Sequence, residues 1–164
     1  MNKLLVSALG NKDSGKSYTW NTLFGVTVRT GKKKRRLYFN DCEYVTVFLI
    51  SGSPEERKKY VGNLMIAEPR IVLCSTQYCE SSKKTFSYFI ENEYSLFVHW
   101  LNPGYSDLDR PYFDYLGIMN WLLSQQSLVG IRSGKLEAKP RVDEIKEYIY
   151  GWAKSRNLII NECE

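Results

Sequence analysis

Residues 4–20 read LLVSALGNKDSGKSYTW, and few ways of folding a chain satisfy that stretch. Residues 3–9 form a short apolar run suited to a buried strand. Residues 10–17 follow with the spacing G-x-x-x-x-G-K-S, too polar and glycine-rich to prolong the strand. Residues 16–24 carry a helical pattern that Gly25 closes with a residue suited to left-handed backbone. A buried strand that passes into a helix through a glycine loop calls for a layered arrangement, with the helix packed back over the sheet that holds the strand.

The rest of the chain keeps alternating. Residues 26–30 and 36–39 are extended in character, Asn40 and Asp41 supply a turn, and residues 43–50 form a β-branched strand, which together predict an antiparallel hairpin. Ser51-Gly52-Ser53-Pro54 then leads into EERKKYVGNLMIA, whose preceding proline and early acids predict a helix. Residues 70–74 form a short apolar strand, residues 81–92 an amphipathic helix with Phe86, Phe89 and Ile90 on one face, and residues 95–101 another strand. A long helical pattern spans 112–128, and a polar, glycine-containing connection spans 129–140. The final helix, 141–157, places Ile145, Tyr148, Ile149 and Trp152 on one side. The expectation is an α/β fold, a mostly parallel sheet flanked by helices on both faces with one antiparallel hairpin. With 164 residues and no internal repeat, low-complexity tract or Pro/Ser-rich linker, the chain reads as a single domain over 1–164.

Composition narrows the class further. Hydrophobic residues make up 43%, aromatic residues 14% and charged residues 25%, enough apolar side chains to build a packed interior rather than a disordered chain. The longest apolar stretch, near 44–50, falls far short of the roughly 18 residues of a membrane span, so no membrane partner is expected. The first residues lack the apolar core and cleavage site of a secretory leader, and a cytoplasmic location is expected. Cys42, Cys74, Cys79 and Cys163 contain no C-x-x-C pair, and His99 is the single histidine. In a cytoplasmic setting these thiols are expected to be reduced and mostly buried.

The net charge of +5 is concentrated in GKKKRR, residues 31–36. That run reads first as a solvated hairpin arm protecting a sheet edge and second, on charge alone, as a nucleic-acid contact. Tyr105, Tyr112, Phe113, Tyr115 and Trp121 suit helix packing for the most part, and some of them offer a protein partner amphipathic contact area.

The chemistry lies in the glycine loop. Between a strand and a helix, the N–H groups from Asp13 to Tyr18 can wrap a β-phosphate, aided by the positive end of the helix dipole. Gly10 and Gly15 allow the turn and the close backbone approach, Lys16 reaches β- and γ-phosphate oxygens, and the Ser17 hydroxyl ligates Mg²⁺. Asn11, Lys12 and Asp13 form the variable interior, with Lys12 solvated and the Asp13 side chain turned away from the phosphates. On these residues, GNKDSGKS, the chain resembles the P-loop NTPase superfamily. The resemblance implies a three-layer P-loop fold, ATP or ADP with Mg²⁺ as cofactors, and a nucleotide site made of Gly10, Asn11, Lys12, Asp13, Ser14, Gly15, Lys16, Ser17 and Tyr18. It also implies a catalytic role for Lys16 and a metal-ligand role for Ser17.

The resemblance breaks at the second element such proteins carry, an apolar strand ending in a metal-orienting acid. YVTVFLIS and RIVLCST end without one. Ser51 or Ser75 is left to hold a metal-bound water, and Glu55 or Glu56 either orients an attacking water or starts a helix as a dipole partner. No D-x-x-G precedes the 51–57 loop, and NPGYSD stands where N-K-x-D would read guanine, so ATP is favoured over GTP. The expected function is Mg²⁺-dependent ATP binding with weak or partner-activated hydrolysis. Two other functions stay open. One is a small-molecule phosphotransferase, with Arg132, Lys135, Lys139 and Arg141 as a lid over the phosphates; the other is a nucleotide-binding switch or accessory subunit.

Overall fold

The computed structural model describes residues 2–164 and, among them, seven strands and four α-helices. In chain order these are β1 (Lys3–Gly10), α1 (Lys16–Phe24), β2 (Arg35–Tyr38), β3 (Glu43–Ile50), β4 (Ile71–Gln77), α2 (Ser82–Glu91), β5 (Tyr94–Leu101), α3 (Ile118–Ser124), β6 (Leu128–Arg132), α4 (Lys139–Lys154) and β7 (Ile160–Asn161). The strands form one sheet in the order β2-β3-β4-β1-β5-β6, with β7 also paired to β3. Strands β3, β4, β1, β5 and β6 run parallel, whereas β2 and β7 are antiparallel to β3. The protein is therefore an α/β molecule built on a mixed, mostly parallel sheet.

β1 is central and feeds both cores. Leu4, Val6 and Ala8 pack with Trp20 and Leu23 of α1 and Val142, Ile145 and Ile149 of α4. Leu5 and Leu9 pack with Phe86 and Phe89 of α2 and Ile118 and Leu122 of α3. A strand covered on both faces has no solvent side, which is why β1 is apolar almost throughout. Each fully buried leucine contributes about 1.5–3 kcal/mol of transfer free energy, so β1 is a large part of what holds the two layers of helices to the sheet. Polar contacts cross this interior as well: Trp20 Nε1 donates to Ser75 Oγ at 2.8 Å, and the buried hydroxyls of Ser7 and Thr76 share a hydrogen bond at 2.9 Å.

Four local expectations are corrected. The segment after Pro54 is not a helix but a set of turns with a 3₁₀ turn at Val61–Asn63. Arg57 N–H closes one turn on the Ser53 carbonyl at 3.1 Å, and Lys58 then adopts a left-handed φ of 52°, which an α-helix cannot continue through. The long helix expected over 112–128 shortens to α3 because the Asp114 carboxylate accepts the N–H groups of Ile118 and Asn120, and Gln126 leaves the helix at φ 60°. The polar connection begins as a strand instead: β6 pairs with β5, and its exposed Leu128 and Ile131 hide the usual apolar signal. Residues 26–30 belong to no strand, so the hairpin consists of β2 and β3 alone.

The cysteine expectation is also corrected in part. Cys42 and Cys163 form a disulfide across a sequence separation of 121 residues, while Cys74 and Cys79 remain free. β7 brings the two together, because it pairs beside the β2–β3 turn and Glu162 N–H donates to the Cys42 carbonyl at 3.0 Å. Among the described residues no helix is long and apolar enough to cross a membrane.

Candidate functional site

The glycine loop leaves the C-terminal end of β1 and enters α1, at the point where the sheet divides into β4-β3-β2 on one side and β5-β6 on the other. Crevices over the carboxyl ends of parallel strands form at such divisions. Gly15 caps α1 with a left-handed φ of 103° and no side-chain hydrogen bond. The first intrahelical bonding across that cap runs from Thr19 N–H to the Gly15 carbonyl at 3.0 Å. The N–H groups of Lys16, Ser17 and Tyr18 thus have no intrahelical acceptor and carry the positive end of the helix dipole.

A second loop locks this geometry from behind. Tyr105 N–H donates to the Ser14 carbonyl at 3.0 Å and Ser106 N–H to the Asp13 carbonyl at 3.1 Å, so two carbonyls of the glycine loop are engaged by this second loop. Asn11 Nδ2 donates to Asp107 Oδ1 at 3.2 Å, and Asp107 Oδ2 accepts from Gly104 N–H at 2.7 Å. The backbones approach so closely that a Cβ on Gly134 would lie 2.2 Å from the Ser14 carbonyl oxygen. Arg141 braces the same loop from α4. It is buried, donates to Thr19 Oγ1, Ser133 O and Leu136 O, and leaves Nη2 without a partner beside Gly15.

Lys16 supplies the buried charge. It is 6% exposed, and its Nζ donates to the Asn11 carbonyl at 2.7 Å, the Gly10 carbonyl at 3.1 Å and Ser14 Oγ at 3.5 Å. Glu56 Oε1 lies 3.5 Å away. Burial holds the Lys16 ammonium below its ordinary pKa, and Glu56 opposes that shift. A desolvated ammonium of this kind is stabilised by any anion brought within contact distance.

The facing wall comes from the end of β3. Ser51 N–H donates to Thr30 Oγ1 at 2.8 Å, and Ser51 Oγ lies 3.5 Å from Ser17 Oγ. Of the alternatives for a metal-bound water, Ser51 therefore faces the loop, whereas Ser75 is fully buried and accepts from Trp20. Glu55 and Glu56 separate just as cleanly. Glu55 Oε1 accepts from Gln77 N–H and Oε2 from Thr85 Oγ1, each at 2.6 Å, and burial pushes its carboxyl up from the usual range. Glu55 is a strap between the turn, β4 and α2; Glu56 points to Lys16.

The resulting cleft of about 790 Å³ is lined by Asp13 to Tyr18, the 51–53 turn and Glu56, and continues past Tyr105 to Gly134, Lys135, Leu136 and Glu137. Of the residues expected in the site, Ser14, Gly15, Lys16, Ser17 and Tyr18 line it together, as does Asp13. Gly10 and Asn11 stand behind, giving carbonyls to Lys16, and Lys12 is exposed outside the lining. The expected basic lid does not assemble. Only Lys135 lines the cleft; Arg132 pairs with Glu144, Lys139 with Asp143, and Arg141 is internal. Ser17, Ser51 and Glu56 present hydroxyl and carboxylate oxygens, the donor chemistry that Mg²⁺ takes when substrate phosphates complete its shell.

A smaller cavity of about 510 Å³ lies beside β6, lined in part by Phe97, His99, Gly130, Arg132, Glu144 and Tyr148. Arg132 holds Glu144 through Nε at 3.1 Å and Nη2 at 2.7 Å. Glu144 Oε1 also comes within 2.5 Å of His99 Nε2, and His99 Nδ1 is left without a hydrogen-bond partner. Burial lowers the His99 pKa from 6.5 to about 4 despite the nearby carboxylate, so the ring is neutral.

Compared with known proteins, the chain matches no protein-family model, no curated protein and no solved structure.

Proposed function

We propose that the cleft over α1 binds the phosphates of a nucleotide, ATP or ADP with Mg²⁺, and that the protein is a P-loop ATPase of low intrinsic turnover. One observation carries this reading. A buried ammonium, Lys16, and the acceptor-free N–H groups of Lys16, Ser17 and Tyr18 line one cleft, while the Asp13 and Ser14 carbonyls of the loop accept from Ser106 and Tyr105. Phosphate is the ligand that uses both kinds of donor at once, because its several oxygens accept from backbone N–H and from the ammonium together.

Ser17, Ser51 and Glu56 would hold Mg²⁺, which when bound neutralises charge on the phosphate oxygens. The chain's own contribution is positioning: Gly15 lets the backbone reach the phosphates, and Lys16 holds their charge. Tyr105 and Leu136, 68% and 71% exposed, offer apolar surface for the nucleoside farther along.

Slow turnover follows from what lines the cleft. Attack by water needs a positioned base and a group that offsets charge in the transition state. Glu55 is committed to two hydrogen bonds, Glu56 is assigned to the metal, and Arg141 lies behind the loop. A partner's arginine supplied in trans is worth about 10³–10⁵ in rate for such chemistry. Equilibrium binding of ATP, ADP and GTP, followed by steady-state phosphate release, tests the reading. The expected result is ATP and ADP binding with turnover below roughly 1 per second; no binding of any of the three by folded protein overturns it.

A further inference from the structure

We infer that two copies of this chain join edge to edge through β6, continuing the sheet across a two-fold axis centred on Gly130. β6 ends the sheet and is paired on one side only, to β5. Asn102 N–H donates to the Arg132 carbonyl at 2.8 Å, so Arg132 turns its backbone groups toward β5, and by alternation Gly130 and Leu128 do the same. Val129 and Ile131 therefore turn theirs outward, where the Ile131 carbonyl accepts from Arg132 Nη1 at 2.7 Å. That bond uses one of two lone pairs, so the edge still offers two N–H groups and two acceptors to another strand. The other end of the sheet is guarded. Exposed Lys32, Lys33 and Lys34 lead into β2 and its Arg35 and Arg36, a run of like charge that repels its own copy. β6 instead presents Leu128 and Ile131, 53% and 51% exposed, and its one charge is Arg132.

Self-complementarity names the occupant. Antiparallel strands bring outward-facing residues opposite one another. With the axis at Gly130, Val129 of one copy bonds Ile131 of the other in both directions and all five residues of β6 are paired; an axis at Val129 or Ile131 leaves one end of the strand over. Gly130 then meets its own equivalent at the closer, non-hydrogen-bonded spacing. On the face where Val129 packs with Ile118 and Leu122 of α3, the β-branched Val129 and Ile131 stack across the two strands. On the α4 face, Leu128 lies opposite Arg132 of the other copy. Tyr148 stacks on Phe97, the register partner of Leu128, at 4.1 Å, which puts its neighbour Glu147 at that end of β6. Glu147 lines the β6 cavity, is exposed and has no ion-pair partner among the described residues, so it stands free where the second copy's Arg132 arrives.

Sedimentation equilibrium over a concentration series up to about 200 μM tests this, because a contact built on one strand pair is small and associates weakly. Wild type is expected to approach twice the 19.1 kDa mass of the chain. Ile131→Lys, which gives the edge the kind of charge that guards β2, should stay monomeric with an unchanged far-UV circular dichroism spectrum. Glu147→Lys, which sets like charge against the incoming arginine, should weaken association about tenfold. Leu108→Lys, which removes a 77% exposed apolar side chain from the loop after β5, should leave it within about twofold. A wild type that is monomeric throughout the series, a dimer that survives Ile131→Lys or is indifferent to Glu147→Lys, or an equal loss in Leu108→Lys overturns the inference. No residue of the β1 cleft takes part, so each of these results leaves the phosphate reading untouched.

Discussion

The cleft beside β1 and the cavity beside β6 both set a basic side chain against a glutamate, and they differ in what else faces the pair. In the β6 cavity Arg132 grips Glu144 with two hydrogen bonds and His99 stays neutral, so the guanidinium is answered by its own partner. In the β1 cleft Glu56 lies 3.5 Å from a buried ammonium, with a helix N-terminus and, behind Gly15, the guanidinium of Arg141 close by. The β6 pair is closed on itself; the β1 cleft, on the proposed reading, takes an anion. A glutamate near a basic group thus marks a ligand site only where the surrounding backbone adds donors that nothing in the fold consumes.

The widest separation between the two sites is expected in their response to acid. The unfolded chain protonates His99 near pH 6.5, the folded one only at about 4. Between those values the unfolded state binds more protons, so stability is complete above the window and is lost as pH falls through it, by on the order of 3 kcal/mol at most. Glu55 pulls in the opposite sense, since its raised carboxyl pKa costs stability as pH rises past the usual carboxylate value. Chemical denaturation from pH 7 to pH 4 should show the His99 loss, and His99→Phe, whose larger ring has the adjoining cavity to fill, should flatten that part of the profile. A slope that survives His99→Phe would place the sensitivity elsewhere.

Two glycines four residues apart extend the contrast to packing. A Cβ on Gly134 would meet backbone atoms, Ser14 O at 2.2 Å and Tyr105 N at 3.0 Å, that cannot move without opening the glycine loop. Gly134→Ala should therefore cost about 1–3 kcal/mol in thermal or denaturant unfolding. A Cβ on Gly130 would meet only the movable end of Arg132, at 2.9 Å, and Gly130→Ala should cost under about 1 kcal/mol. Equal losses would mean that the loop is not the rigid partner. Arg132→Ala falls in the same range: the pair with Glu144 is 38% and 41% exposed, and its removal should change stability by roughly 0–1 kcal/mol.

How much of this was legible in the sequence depends on how local the cause is. β1, the glycine loop and α1 were readable because apolar run, glycines, Lys16 and Gly25 act within their own segment, and α1 ends at Phe24 as expected. β6 was missed because an edge strand exposes Leu128 and Ile131 and so loses its apolar face. The turn after Pro54 was misread because its acids looked like helix-dipole partners, while Glu55 in fact bonds to residues 22 and 30 positions away. Glu56 was only one of two candidates until the turn separated them. The Cys42–Cys163 bridge depends on β7, a two-residue strand with almost no sequence signal of its own. Arg141, grouped by sequence with lid residues, is buried by the register of α4, which spacing alone does not supply.

The central claim is that the β1 cleft is a phosphate site, and titration of ATP with MgCl₂ into wild type, Lys16→Ala and Arg132→Ala tests it most directly. A charge-assisted bond to a desolvated phosphate is worth about 1.5–3 kcal/mol, so Lys16→Ala should weaken ATP binding by about 10- to 150-fold while Arg132→Ala leaves it within about twofold. Binding that is insensitive to Lys16→Ala, or lost equally on Arg132→Ala, would contradict the claim, as would a folded wild type that binds no ATP.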